Sequence, residues 1–575
     1  MQDGRSKVYD EISKNPRRAA SIEKRFLRNF LDSFKCFIDA ETDVSENVIP
    51  SIAPSSTSTN SLFTSCPTKK ESEYFLPLDG PLASIPNGAH VTGLVAGFQA
   101  WIAGFQNYET PTVLRFTYLI DSMDWNCAAS YSHNWKDSLT KSDVLVRTPS
   151  SILIGQRSVP LHTSDTRLMC IISAWATVVK DWVPESYKPL ISYINDFRYT
   201  GIGYGGYDPD INKCFDDEFD GKPNLQCLQK IAQDECYAPS VMGAIIGHQL
   251  AEYAKRDGWN MYGELRSDNS KCVHNCRRYT DPTNFSPSYD SQDVVKRTRW
   301  NPLLEDNNNG YFTRQEHVVP HIGILAKNSI LSRADFESRN ITAPLYDYNN
   351  EALLVSKRMS KLTDTKKILI EFFDNKILVA LALIGTIAMQ GVSFEQILHY
   401  SLGLTSGDYD ATLLAWRAKV KTDLVRPTTW IQDQMSNVTF QTWVRNKGIQ
   451  NITGKEFEAY LRVMPHAEFV SGSGCIFQSM YEYTDSWVKK YLNKTNSISV
   501  LIGNFPAGSS IVEPGKTPKE NITIMTSNML ELRNLGGQSR LDGGMHFTQS
   551  VEASYELCKG VGLEAARYVF ELWGP

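Results

Sequence analysis

Long stretches of helical apolar periodicity dominate the chain from about residue 85 onward, whereas alternating strand patterns are scarce. Apolar residues that recur every three to four positions are typical of helices that bury one face. Because 42% of the 575 residues are hydrophobic, the chain can bury a large core, and wholesale disorder is excluded. The pattern predicts an all-α body with bundle packing. The predicted helices are Val91–Phe105, Leu168–Trp182, Val241–Arg256, Lys366–Met389, Tyr409–Leu424, Lys455–Arg462, Cys475–Tyr491 and Phe547–Leu572.

Changes in composition predict three regions along the chain. Residues 1–84 combine a charged helix with an arm rich in serine, threonine and proline, which is typical of a linker. Residues 85–360 are predicted to form an N-terminal helical half, in which residues 200–320 form a loop-rich insertion that contains cysteines. Residues 361–575 are predicted to form a C-terminal helical bundle.

Net charge and hydropathy narrow the range of partners. The formal net charge is −5, so no global basic field recruits nucleic acid, and no nucleic-acid partner is expected. The most apolar run, Ile377–Met389, is shorter than the roughly 20 residues that cross a bilayer, so no membrane span is expected. The first residues contain no apolar segment, and no signal peptide is expected in this chain.

The cysteines and the glycosylation sequons indicate an oxidising compartment. Five of the eleven cysteines lie between Cys214 and Cys276, and six N-x-S/T sequons occur along the chain. Together these predict disulfides in a protein that is secreted or otherwise held in an oxidising compartment. Free thiols and a zinc site stay open as alternatives, the latter because Cys272 and Cys276 flank His274. However, no second cysteine pair at zinc-finger spacing follows.

Three segments of the C-terminal half carry residues that could bind an anion. In the first, Lys419 and Arg426 are seven residues apart, which is two helical turns, so both heads lie on one helix face. Trp416 shares that face, and Pro427 ends the helix near Arg426. The alternative is an ordinary amphipathic helix with a Lys419–Asp423 pair.

The second and third segments each run into a predicted helix. Ser471–Gly474 precedes the helix that starts near Cys475, and free backbone N–H groups at a helix N-terminus favour an anion. In the third, Gly543 and Gly544 permit a tight turn that brings Arg540 towards His546. A plain helix cap and a loop histidine beside a surface arginine are the respective alternatives.

Taken together, the three segments predict one oxyanion site. They supply a lysine, two arginines, a serine hydroxyl, glycine N–H groups and a histidine. Arginine presents forked donors to oxyanions, and lysine adds a point charge. Such a set suits phosphate or its analogue vanadate, whereas a redox metal ion would require carboxylates or several histidines or cysteines at ligand spacing.

The same segments resemble the signature of the vanadium-dependent haloperoxidase and type 2 phosphatidic acid phosphatase superfamily, which reads K-x6-R-P, P-S-G-H and S-R-x3-G-x-H. The first and third parts are intact, and Val470–Ser473 stands where the second is expected, so Ser473 replaces its histidine. The resemblance covers roughly residues 85–575 and favours the haloperoxidase branch. It implies an all-α, vanadium chloroperoxidase-like fold: a large helical body with two four-helix bundles, plus the cysteine-containing insertion.

The resemblance also implies a cofactor, a reaction and residue roles. Vanadate would be the cofactor, carried by residues 361–575, and phosphate could occupy the same site. Hydrogen peroxide would oxidise halide, bromide or chloride, to hypohalous acid equivalents that halogenate a small organic substrate. Lys419 would polarise bound peroxide. His546 would be the metal ligand, and the cofactor oxygens would be held by Lys419, Arg426, Ser471, Gly472 and Arg540.

Two departures from the family pattern bear on catalysis. Ser473 stands at the position of the family's acid/base histidine, and a serine hydroxyl does not titrate near neutral pH. His466 is a candidate to support it, and with Trp416 it would line the halide pocket; a histidine stacked on the pocket wall is the alternative. Ser550 stands where many members carry an acid that orients the liganding histidine, so another acceptor must hold His546.

Two further functions stay open at the sequence level. One is an acid phosphatase that uses a phosphohistidine at His546, and the other is a non-catalytic relative that binds an oxyanion. Because a phosphatase needs a proton donor at position 473, Ser473 favours peroxide oxidation. A homodimer is one oligomeric state that the sequence allows.

Overall fold

The computed structural model describes residues 109–130, 164–182, 214, 224–232, 238–261, 263, 265, 281–283, 285, 296–306, 310–494 and 498–572. The predicted region 1–84 and the predicted helix Val91–Phe105 lie outside the described residues, as does about half of the insertion 200–320, including Cys272, His274 and Cys276.

Fifteen α-helices and three short hairpins make up the described part of the chain. The helices are α1 Thr110–Ser130, α2 Ser164–Trp182, α3 Leu225–Ala232, α4 Ala238–Ala254, α5 Ile322–Leu325, α6 Arg333–Ser338, α7 Tyr348–Met359, α8 Asp364–Asp374, α9 Lys376–Ala388, α10 Phe394–Thr422, α11 Pro427–Gln434, α12 Gly472–Tyr491, α13 Met529–Asp542, α14 Thr548–Leu557 and α15 Val561–Leu572. The antiparallel strand pairs are β1 Leu304–Asp306 with β2 Phe312–Arg314, β3 Thr439–Val444 with β4 Gly448–Thr453, and β5 Val500–Phe505 with β6 Ile522–Thr526.

The long helix α10 is the centre of the body. It begins at a capping box in which Ser393 and Gln396 exchange side-chain and backbone hydrogen bonds, and it ends at Asp423 in the left-handed conformation. Almost all of its residues are buried, and it packs against α1, α12 and α15. A Cβ atom at Gly403 would lie 2.4 Å from the ring of Tyr483, so glycine permits the close approach of α10 and α12. The predicted all-α class is confirmed.

Several predicted helix bounds differ from the structure. The stretch Lys366–Met389 is two helices, because the Asn375 side chain accepts the N–H groups of Ile377 and Leu378 and starts a new one. The stretch Phe547–Leu572 is also broken, at Gly560 with its positive φ. The predicted helix Lys455–Arg462 is wrong, because only a 3-10 turn over Gly454–Glu456 forms before the chain becomes irregular.

Every cysteine among the described residues lies in a disulfide, which confirms that part of the cysteine prediction. Cys127 pairs with Cys170 across α1 and α2, Cys214 pairs with Cys227, and Cys475 pairs with Cys558. None of the described helices combines the length and apolar character needed to cross a bilayer. The boundary between residues 85–360 and 361–575 stays a prediction.

Candidate active site

The three predicted segments meet at one buried point of the C-terminal half. Lys419 lies in the last turn of α10, Arg426 is the N-cap of α11, and Arg540 lies in the last turn of α13. Ser471 is the N-cap of α12, and His546 lies in the short link between α13 and α14. All five side chains are buried. Helix ends and the links between helices therefore supply the cations, the hydroxyl and the imidazole. The predicted single helix face for Lys419 and Arg426 is wrong, because α10 ends at Thr422 and Pro427 begins α11 instead of ending α10.

Arg426 joins the second and third segments. Its Nε donates to the His466 carbonyl at 2.8 Å, and its Nη1 donates to the Met545 carbonyl at 2.9 Å. The same Nη1 lies 3.3 Å from Nε2 of His546, and Nη2 lies 2.8 Å from Nδ1 of His466. Because a guanidinium only donates, both of these imidazole nitrogens are acceptors.

The Lys419 ammonium is fixed by main-chain oxygens. Nζ donates to the carbonyls of Ala467 at 2.7 Å and Glu468 at 3.0 Å. An ammonium has three N–H donors, so one stays available for an anion. Burial lowers the pKa of Lys419, and the neighbouring Arg426 lowers it further.

Arg540 contributes a guanidinium group in which one nitrogen has no hydrogen-bond partner in the described part of the chain. Its Nη1 forms an ion pair with Asp374 at 2.9 Å, and Nη2 lies 3.5 Å from the sulfur of Met464. Nε is buried and has no hydrogen-bond partner among the described residues. A buried donor without a partner is costly unless a ligand satisfies it, which makes this N–H a candidate contact for a bound oxyanion.

His546 is held by an acid that the sequence interpretation did not assign. Nδ1 of His546 lies 3.0 Å from Oε1 of Glu468, and Ser550 Oγ lies 3.4 Å from the same nitrogen. Position 550 carries a serine in place of an acid, so His546 needs another acceptor, and Glu468 is that acceptor. Its only sequence signal is an acidic residue inside the apolar run Ala467–Val470, three residues before Ser471.

Electrostatics keep the imidazole neutral. Burial lowers the pKa of His546 well below its ordinary value, and the charges of Arg426 and Lys419 lower it further. Burial raises the pKa of Glu468, whereas Lys419 and Arg426 oppose that rise. The site thus holds three buried cations against the carboxylates of Glu468 and Asp374, and a neutral imidazole is the form that can ligate a metal.

The start of α12 forms a backbone cradle beside these groups. Ser471 accepts the Gly474 N–H at 3.3 Å, so its hydroxyl caps the helix. A Cβ atom at Gly472 would lie 3.3 Å from Cζ3 of Trp416 and 3.7 Å from Cε of Lys419. Ser473 follows in the first turn and is half-buried, and no hydrogen bond within the described part of the chain joins it to His546.

An aromatic and imidazole wall flanks Lys419. The rings of Trp416 and His466 lie 4.6 Å apart, and Trp416 Nε1 donates to the Val318 carbonyl at 2.9 Å. Sequence interpretation did not identify His317, which lies edge-on to His466 at 6.4 Å and accepts the Ala467 N–H at 3.3 Å. Burial and nearby cations lower the pKa of His466, so it is a neutral imidazole that packs beside the tilted ring of Trp416.

These residues fit an oxyanion such as vanadate. The unpartnered Nε of Arg540, the third N–H of Lys419 and the first N–H groups of α12 are donors that an oxyanion could satisfy. Gly472 keeps the cradle free of a side chain. The excess of buried positive charge favours an anion, and Nε2 of His546 carries the lone pair that a metal ligand needs.

Comparisons with known proteins find similarity in one domain of the sequence and in the fold. Residues 399–575 match the family model described as the VCPO second helical-bundle domain. A holo-type bacterial vanadium-dependent chloroperoxidase is 21% identical, with a TM-score of 0.64, over 81% of this chain and 93% of that one. An apo-type structure of a bacterial vanadium-dependent chloroperoxidase is 21% identical, with a TM-score of 0.63, over 80% of this chain and 93% of that one. A bacterial vanadium-dependent iodoperoxidase is 13% identical, with a TM-score of 0.50, over 84% of this chain and 96% of that one.

None of the curated proteins searched matches the chain. Residues 399–575 are similar to one domain of the vanadium chloroperoxidase family, and the chain shares the fold of vanadium-dependent chloroperoxidases. The structural matches are below 25% identity and establish the fold.

Proposed function

We propose that this protein is a vanadium-dependent haloperoxidase. It would use hydrogen peroxide to oxidise bromide or chloride to hypohalous acid equivalents, which halogenate a small organic substrate. The observation that carries the proposal is the buried neutral imidazole of His546, whose Nε2 lies 3.3 Å from Arg426 and shares the site with Lys419 and Arg540. A homodimer stays a prediction.

Vanadate is the cofactor that we propose for this site. His546 Nε2 would ligate it, Arg426, Arg540 and Lys419 would neutralise its oxygens, and the N–H groups at Gly472 would donate to it. When bound, vanadate supplies Lewis-acid activation of peroxide without changing its oxidation state.

Each side chain of the site has a separate task. Lys419 is fixed by two carbonyls, and its remaining N–H would stabilise negative charge that develops on a bound oxygen. Glu468 holds the proton on Nδ1 of His546. Since Nδ1 of His466 accepts from Arg426, its proton lies on Nε2, and this N–H beside the Trp416 indole is the proposed halide contact.

A second candidate function is an acid phosphatase. The His546–Glu468 pair favours it, because an imidazole oriented by a carboxylate is also suited to nucleophilic attack on phosphorus. The hydroxyl of Ser473 offers no titrating proton donor for the leaving group, which counts against it. A non-catalytic oxyanion binder is the third outcome of the same experiment.

Two assays separate these candidates. Purified protein is supplied with vanadate, peroxide, bromide and a phenol dye, and separately with p-nitrophenyl phosphate without vanadate. Bromination that phosphate inhibits supports the haloperoxidase. Ester cleavage that vanadate inhibits supports the phosphatase, and bound vanadate without either activity supports the binder.

Replacing Lys419 should separate turnover from cofactor binding. Lys419→Met removes the charge and keeps the length of the side chain. We expect kcat for bromide oxidation to fall at least about 100-fold, with a smaller change in vanadate affinity because both arginines remain. Lys421→Met, at an exposed position two residues further along α10, is the control. Equal activity in the two variants would contradict the role of Lys419.

Restoring the missing histidine should raise activity. Ser473→His places a titrating group in the first turn of α12, and general acid–base catalysis contributes about 100-fold or more where it operates. We expect faster peroxide turnover and a new inflection in its pH profile, with Ser473→Asn as the non-titrating control. Unchanged kinetics and an unchanged pH profile in the histidine variant would show that position 473 is not the acid/base site.

We also propose that the protein folds in an oxidising, secretory compartment. Three disulfides support this, as do exposed sequon asparagines at Asn340, Asn437, Asn451, Asn493 and Asn521. In protein purified from its source, we expect peptide mass spectrometry to find N-glycan on Asn437, which precedes the β3–β4 hairpin. Unmodified asparagines at all five positions, with free thiols at Cys475 and Cys558, would refute the localisation.

A further inference from the structure

We propose that Glu468 is the positioning residue of the site: it fixes the tautomer and orientation of His546 so that Nε2 presents its lone pair to the cofactor. The inference rests on the proposed function only in taking vanadate as that cofactor. The orienting acid of this chain thus lies in the second segment, at Glu468, and not at position 550 after His546.

Both oxygens of the buried Glu468 carboxylate have partners. Oε1 lies 3.0 Å from Nδ1 of His546 and also accepts the N–H of Phe547 at 3.0 Å. The hydroxyl of Tyr346 donates to Oε2 at 3.4 Å. The carboxylate therefore forms hydrogen bonds both with the imidazole and with the main chain next to it, and these two contacts fix the orientation of the ring.

The tautomer follows from the two sides of the imidazole. On one side Arg426 Nη1, which only donates, faces Nε2 at 3.3 Å. On the other side the Glu468 carboxylate faces Nδ1. A neutral imidazole carries one proton, so the proton lies on Nδ1 and the lone pair on Nε2.

The backbone of Glu468 also connects His546 to the first segment. Its carbonyl accepts from Lys419 at 3.0 Å and from the hydroxyl of Ser550 at 3.3 Å. One residue thus holds the ligand with its side chain and the proposed peroxide-polarising lysine with its main chain. A change at the side chain alone leaves the lysine contact in place, so the two roles can be separated by mutation.

The carboxylate has opposite effects on two anions. Its charge opposes any anion that binds nearby by charge alone, as phosphate does when it forms no covalent bond. For vanadate, the charge-assisted hydrogen bond to Nδ1 makes Nε2 a better ligand. Replacing Glu468 with glutamine should therefore weaken vanadate binding while phosphate binding stays equal or becomes tighter.

Glu351 provides a matched control. Its Oε2 accepts the N–H of Thr548 at 3.1 Å, so it lies at the N-terminus of α14 one residue beyond the N–H that Glu468 accepts. No hydrogen bond in the described ranges joins it to His546. If Glu468 only capped this helix, Glu351→Gln and Glu468→Gln would behave alike.

The experiment measures vanadate and phosphate affinity by calorimetry for the full chain and for the two glutamine variants. We expect Glu468→Gln to bind vanadate about 10-fold more weakly and phosphate at least as tightly, and Glu351→Gln to match the parent for both anions. A parallel loss of both anions in Glu468→Gln, or no change in either, would overturn the inference. Thermal unfolding identifies a misfolded variant, and Glu468→Asp then serves as the second test.

A second readout does not depend on vanadate. The Nδ1 proton of His546, assigned by its absence in His546→Ala, should give a low-field NMR signal in cofactor-free protein, and Glu468→Gln should shift it upfield. If the parent protein binds no vanadate, the proposed function fails, but this signal still tests Glu468. A signal at the same position in the parent and in Glu468→Gln would refute the positioning role.

Discussion

The variant His546→Ala should lose vanadate and all haloperoxidase turnover while it still binds phosphate. Under the proposed function the imidazole would form the bond to vanadium, because the contacts that Lys419 and the arginines offer an anion are N–H donors. We expect vanadate affinity to fall at least about 100-fold, beyond what loss of an outer partner costs. Phosphate affinity should change less than about 10-fold, since the cations that attract it remain.

Calorimetry with each anion and metal analysis after dialysis test this prediction. Arg426→Ala is the informative control, because it removes charge from the site and should weaken both anions. Retention of vanadate by His546→Ala at the parent's level would show that the imidazole is not the ligand. Equal losses of vanadate and phosphate would show instead that His546 acts by holding the pocket together.

The sequence was sufficient to predict which three segments form the site. The predicted shared helix face of Lys419 and Arg426 is wrong, because α10 ends at Thr422 and Arg426 is the N-cap of α11, although both residues belong to the site. Gly472 and Gly544 mark places where the backbone needs room or a positive φ. These features are local, so periodicity and residue type reveal them. Their convergence could be inferred only from the residue types of the three segments taken together and from the resemblance to a known family, because no local pattern brings segments 48 to 120 residues apart into contact.

The roles of Glu468 and the course of residues 457–470 could not be predicted in this way. Thr453 and Glu456 form a capping box, which is a helix-start signal, yet Phe457 is already extended. Tertiary contacts prevail over the local signal: Tyr460 N–H donates to the Gly543 carbonyl, and the following chain lends two carbonyls to Lys419. A helix over Lys455–Arg462 would bond the Tyr460 N–H within itself and remove it from the Gly543 carbonyl.

Removing the disulfide Cys475–Cys558 should cause the largest loss of stability among the disulfide variants. The bond joins α12, four residues after its N-cap Ser471, to the end of α14, the helix that follows His546. It closes a separation of 83 residues, for which the chain-entropy relation gives about 4.5 kcal/mol. We expect the double variant Cys475→Ala with Cys558→Ala to lower the free energy of unfolding by about that amount in chemical denaturation.

The Cys214–Cys227 bond supplies the comparison. It closes a separation of 13 residues, so its removal should cost about 3 kcal/mol by the same relation, and it should leave vanadate affinity unchanged. Because Cys475–Cys558 links the cradle helix to the segment that carries His546, its removal should also weaken vanadate binding in protein that is still folded. Equal losses of stability for the two pairs, with vanadate affinity unaffected in both, would mean that the hydrogen bonds of Arg426 and Glu468 alone keep the second and third segments together.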